Sequence, residues 1–129
     1  MEFDEAFDVT ISNPQKSVIL TSTAVVTITN DDTATVSVTN VAFDEGDSGS
    51  ATMVFTATLN SAVTGGLDVD ISAAAGTATA GDDYAATPAT LTFAGTAGET
   101  QTYSISVNGD TVTENDETVI VSLLSLIHI

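Results

Sequence analysis

The residues able to do chemistry in this sequence are carboxylates. They gather in short polar stretches: Asn30-Asp31-Asp32, Asp44-Glu45-Gly46-Asp47, Asp82-Asp83, and Asp110 with Glu114, Asp116 and Glu117. Clusters that offer only oxygen suit hard cations. Calcium accepts roughly six to eight oxygen ligands in loose geometry, whereas magnesium demands a tighter octahedron. Zinc and copper favour imidazole and thiolate ligands, and the chain has no cysteine and a single histidine, His128. Two carboxylates about 4 Å apart repel by roughly 4 kcal/mol at an effective dielectric near 20, a figure that salt lowers. A bound cation, Ca2+ above all, is therefore the expected neutraliser. Serine and threonine are abundant, but with no histidine or lysine base near them there is no nucleophile assembly, and the chain is expected not to be an enzyme.

The elements that must position these acids read as strands. Apolar residues alternate with polar ones over short stretches punctuated by Gly, Asn, Asp and Pro, the period of half-buried strands. Such stretches are Phe7-Val9-Ile11, residues 18–29 with Val26 and Ile28 inward, Val36-Val38, Met53-Phe55-Ala57-Leu59, Leu67-Val69-Ile71, Leu91-Phe93, Tyr103-Ile105-Val107 and Val119-Val121-Leu123. No stretch has helical spacing. These eight short strands predict an all-β fold, an antiparallel sandwich. From Val36 onward the first, third and fifth connections share one pole of such a sandwich, and they hold the acids of the second, third and fourth clusters. The opposite connections are nearly bare: 60–66 has no acid, 94–99 only Glu99, and 12–17 only Lys16. A generally acidic surface, as in a salt-loving organism, would spread acids over both poles. Asp68 and Asp70 alternate with apolar residues and read as a solvated sheet face. Gly65-Gly66 reads as a hairpin turn, Gly81 as a positive-φ position, and Tyr84 as part of the core.

Net charge is −17, with 18 acids against one base, which repels nucleic acid and anionic membrane. The 43% hydrophobic fraction argues for a folded chain. No apolar run approaches the length of a membrane-spanning helix, so no direct membrane insertion is expected.

The chain also repeats. Glu2-Phe3-Asp4-Glu5-Ala6-Phe7-Asp8-Val9 matches Glu114-Asn115-Asp116-Glu117-Thr118-Val119-Ile120-Val121, 112 positions later. Residues 1–32 are accordingly expected to be the last two strands of one repeat and residues 33–123 the next repeat without its last strand. The join at Asp31-Asp32-Thr33 is too short for the strand before it to serve as the missing strand of its own neighbour, because extended chain covers only about 3.3–3.6 Å per residue. Residues 124–129 break the pattern and lack the turn chemistry of Ser12-Asn13-Pro14. They also translate the reading CTG TCT CTT ATA CAC ATC, which resembles a transposon end used in sequencing libraries. The tail is expected to be non-native, and His128 with it.

Val41-Ala42-Phe43-Asp44-Glu45-Gly46, then residues 76–84 (GTATAGDDY), Gly98-Glu99-Thr100 and the stretch from Asp110 to Glu117 resemble, in order and spacing, the successive signatures of the Calx-beta family. The resemblance implies a seven-stranded immunoglobulin-like antiparallel β-sandwich, as in sodium/calcium exchangers, an integrin and large bacterial surface proteins. It makes Glu45, Asp83, Asp110, Glu114 and Glu117 the calcium ligands of the second repeat. Glu2, Glu5, Asp31 and Asp32 become the surviving half of the preceding site. Two departures, Asn108-Gly109 where calcium-sensing members carry aspartates and only two aspartates at 31–32, imply fewer ions or weaker binding. The function expected from the resemblance is a calcium-binding structural or adhesive repeat of a large secreted or cell-surface bacterial protein. Its partners would be calcium ions, neighbouring repeats of the chain and cell-surface or matrix ligands. The alternatives are a calcium-sensing module of a membrane transporter and a spacer domain of a secreted hydrolase; flanking sequence separates the three.

Overall fold

Alternation becomes strand wherever a second alternating stretch can pair with it. In the computed structural model, which describes residues 2–125, the elements are β1 (Glu5–Thr10), β2 (Thr23–Ile28), β3 (Val36–Val38), β4 (Gly49–Leu59), β5 (Leu67–Ala75), β6 (Tyr84–Ala85), β7 (Ala89–Phe93), β8 (Thr100–Gly109) and β9 (Val119–Ser125). Among the described residues there is no helix, and every strand pairing is antiparallel. The chain divides into two compact units, residues 1–33 and 34–129.

The first unit is a single hairpin, β1 against β2, in register from Glu5↔Ile28 through Phe7↔Val26 to Thr10↔Thr23. Its end is fastened by the Asn30 amide, which donates to Asp4 Oδ1 at 2.7 Å. Residues 18–22, read as part of a strand from their alternation, lie outside β2 because the register stops where β1 stops. One more bond, from the Ile11 amide to the Ser22 carbonyl at 2.8 Å, closes the ladder.

The second unit has two sheets, ordered β3-β4-β8-β6 and β7-β5-β9. Their apolar faces meet in one core of Phe55, Ala57 and Leu59 from β4, Tyr103 and Ile105 from β8, Val69 and Ile71 from β5, and Leu91 and Phe93 from β7, with Ala78 and Tyr84 filling in. This is the all-β antiparallel sandwich that the sequence predicts, two inward faces supplied by every second residue. Tyr84 is a core residue as expected, 4% exposed. Phe55 and Tyr103 pack with ring centroids 6.5 Å apart, and the Tyr103 hydroxyl donates to the Thr87 carbonyl at 3.1 Å.

Several local readings change. β6 is too short for periodicity to reveal, and it exists because Tyr84 and Ala85 pair with Val107 and Ser106 of β8. β4 starts at Gly49 because β8 runs to Gly109 opposite it. Gly65-Gly66 do turn, at φ of 85° and 75°, but they join β4 to β5, strands of different sheets, and so make no hairpin. A Cβ at Gly66 would run into the Phe93 carbonyl. Asp68 and Asp70 are half-buried instead of solvated. Asp70 Oδ1 accepts a bond from Thr90 Oγ1 at 2.6 Å, across the β5–β7 pair. Of residues 124–129, Leu124 and Ser125 lie in β9 opposite Asp70 and Val69, and the rest, His128 included, lie outside the described residues.

Candidate metal centre

Three connections of the second unit converge at one pole. The loop after β5 is pinned to the start of β9: the amides of Gly76, Thr77 and Ala78 all donate to the Thr118 carbonyl at 3.0–3.2 Å. In return the Thr118 amide donates to Thr77 Oγ1 at 2.8 Å. The same loop is latched to the end of β8, where Asn108 Nδ2 donates to the carbonyls of Asp82 at 2.8 Å and Gly81 at 3.3 Å. Gly81 has φ of 97°, the positive value its place in the sequence predicts. The loop between β3 and β4 closes in on Gly109, where any Cβ would meet the carbonyl oxygens of Glu45 and Gly46 at 2.6 Å. Asn108-Gly109 therefore does structural work at the position where the family's calcium sensors carry acids. No signal in the sequence marks that latch, because both of its acceptors are backbone carbonyls of a distant loop.

The result is an open cleft of about 940 Å³ whose lining includes Glu45, Asp83, Asp110, Glu114 and Glu117. Carboxylate oxygens of Asp83, Glu114 and Glu117 lie within 4.8 Å of one another. Asp83 is held by the Thr79 amide, which donates to its Oδ2 at 2.6 Å. Asp110 is held by its own turn, the Val112 amide donating to Oδ1 at 2.6 Å. Crowding shows in proton affinity. The Glu114 carboxyl is raised above the ordinary range by loss of hydration, then by the charges of Asp83, Asp110 and Glu45. Glu117 is raised by loss of hydration, by hydrogen bonding to and repulsion from Asp83, and by Glu114 and Glu45. Glu45 and Asp110 thus share the electrostatic environment of the trio without joining its 4.8 Å group.

A match to the family model of the Calx-beta domain spans residues 30–128. The chain belongs to the Calx-beta family. That family is non-catalytic and is associated with calcium. No curated protein and no solved structure gives a significant match to this chain.

The donor set fits a hard cation: every side-chain donor of the trio is a carboxylate oxygen, and loss of hydration, followed by mutual repulsion, raises two of the three toward protonation. Glu2, Glu5, Asp31 and Asp32 belong to the first unit. Glu5 stands opposite Ile28 in the β1–β2 ladder, and the Asp32 amide donates to the Asn30 side chain at 3.3 Å. Among the described residues these four form no group of three comparable to the trio in the second unit. Glu99, the one acid at the opposite pole, is accounted for differently. It accepts bonds from the amides of Ala94, Gly95 and Thr96 at 2.9, 3.0 and 3.3 Å, and those donors, Ala94 first, hold its carboxyl below the ordinary range.

Proposed function

We propose that this Calx-beta chain is a calcium-binding structural and adhesive module of a large secreted or cell-surface bacterial protein, and that bound calcium stiffens the junctions between its repeats. The observation that carries this reading is the convergence of Asp83, Glu114 and Glu117 within 4.8 Å at the pole where three loops meet. Those three residues hold the ion, with Glu45 and Asp110 lining the same cleft. When bound, the cation supplies positive charge that offsets carboxylate repulsion.

The chain's own residues do the rest. Thr79 and the Thr77–Thr118 and Asn108 contacts keep the loops in place, so that the acids are gathered before any ion arrives. Glu2, Glu5, Asp31 and Asp32 are, in this reading, what remains of the equivalent site in the preceding repeat. A cation held by Asp31 and Asp32 restricts the connection leading into β3. Residues 1–32 and 33–123 are then parts of two repeats, and residues 124–129 a non-native tail. The alternatives, a transporter's calcium sensor or a hydrolase's spacer, have no observation in their favour here. Extracellular calcium modules bind at about 10⁻⁴ to 10⁻³ M, and calorimetric titration of calcium into this chain should give a value in that range. The double variant Glu114→Gln, Glu117→Gln should lose the heat of binding. Absence of any calcium binding by the parent chain rejects the reading, and undiminished binding by the variant rejects the assigned residues.

A further inference from the structure

β8 ends in the chain's single Asn-Gly pair, Asn108-Gly109, and the fold fixes each member of the pair for its own reason. Asn108 grips the loop that carries Asp83. Its backbone amide donates to the Asp83 carbonyl at 2.8 Å, and its Nδ2 donates to the carbonyls of Asp82 at 2.8 Å and Gly81 at 3.3 Å. Gly109 leaves no room for a side chain, because a Cβ there would meet the carbonyl oxygens of Glu45 and Gly46 at 2.6 Å. A latch that needs an amide donor and a close approach that needs glycine thus meet in one dipeptide. That dipeptide cyclises readily, since glycine puts nothing in the way of its own nitrogen and leaves the backbone free to bend.

We propose that Asn108 is a self-modification site, which deamidates when the end of β8 opens, and that the acid so formed releases the loop of residues 79–83. In the first step the Gly109 backbone nitrogen attacks Asn108 Cγ. The bond from Cγ to Nδ2 breaks, ammonia leaves carrying the proton that the Gly109 nitrogen gave up, and a five-membered succinimide closes. Water then opens the ring at one carbonyl or the other, giving aspartate or isoaspartate. Water is the sole co-reactant, no electrons are exchanged, and loss of ammonia makes the change irreversible.

The closed fold holds this reaction back. Asn108 and Gly109 stand opposite Ser50 and Gly49 in the β4–β8 ladder, so their backbone is extended, whereas ring closure requires it to bend until the Gly109 nitrogen reaches Cγ. Both residues are half-buried, and the Asn108 amide group is engaged with two carbonyls. Opening of the strand end must come first, an event that element ends undergo far more readily than cores. Once formed, an aspartate presents oxygen where the donor stood. The Asp82 and Gly81 carbonyls lose their partner, and a new negative charge joins the pole that already gathers Asp83, Glu114 and Glu117. Isoaspartate also lengthens the backbone by one carbon, which breaks the register with β4.

The full-length chain, held in mildly alkaline buffer with and without denaturing urea, tests the proposal by peptide mapping and isoaspartate labelling. In urea Asn108 should react ahead of every other asparagine. In buffer it should react measurably but roughly tenfold or more slowly, because the strand end must open first. Another asparagine reacting first in urea, equal rates at Asn108 in the two media, or no product at Asn108 in buffer overturns the proposal. The extra charge lets anion exchange separate the modified from the unmodified chains of the buffer sample. In the modified fraction, amide hydrogens over residues 79–83 should exchange faster, while those of residues 53–59 keep their protection. Unchanged exchange over 79–83 overturns the release of the loop.

Discussion

At the scale of single residues, the acids of this chain divide by the sign of their environment. Glu114 and Glu117 bind protons more readily folded than unfolded, because hydration is lost and like charges face them. Stability that depends on them is present below the ordinary carboxylate range and is lost as pH rises through their raised values. Glu99 has the opposite sign: its lowered value means stability present at neutral pH and lost as pH falls through it. Calcium should therefore raise the melting temperature at pH 7 and have a smaller effect in acid, where Glu114 and Glu117, raised in the fold, take up protons in competition with the cation. Melting curves at both pH values check this, and Glu117→Gln should raise stability in chelator while reducing the calcium effect. That Glu45, Asp83, Asp110, Glu114 and Glu117 line one cleft was legible from their placement in alternate connections; that only Asp83, Glu114 and Glu117 come within 4.8 Å of one another was not. The holding roles of Thr77, Thr79 and Asn108 were not, since a hydroxyl or amide in a loop gives no hint of which distant backbone group it will meet.

Among the elements, what the alternation could reveal was strand identity, and what it could not reveal was where each strand stops. Bounds are decided by the partner: β2 begins at Thr23 because β1 ends at Thr10, and β5 runs on to Ala75 because β9 pairs with it there. β6 has only two residues, too few to show a period. Asp68 and Asp70 alternate as solvated residues do, yet their neighbours half-bury them, a consequence of packing that no local pattern records. The loops at the acid pole are elements of the same kind, fixed by cross-loop bonds. Thr77→Val keeps the shape but leaves the Thr118 amide without its 2.8 Å acceptor. It should cost about 1 kcal/mol in urea unfolding, and it should weaken calcium binding although residue 77 offers no ligand.

For the whole molecule, charge and architecture point the same way. A chain of net charge −17 places three carboxylates within 4.8 Å at one pole of a Calx-beta sandwich and leaves the other pole almost without acids. Like charges gathered in this way repel one another, and in the proposed reading a bound cation offsets that repulsion. The most direct test is thermal unfolding of the chain in calcium, in magnesium at equal concentration and in chelator, with Asp83→Asn alongside. At calcium tenfold above its dissociation constant, one site adds about 1.4 kcal/mol, which for a domain of this size raises the midpoint by on the order of 5–10 °C. The prediction is a shift of that size in calcium, a smaller one in magnesium and a much reduced one in Asp83→Asn. Coincident curves in calcium and chelator for the parent chain would contradict the account.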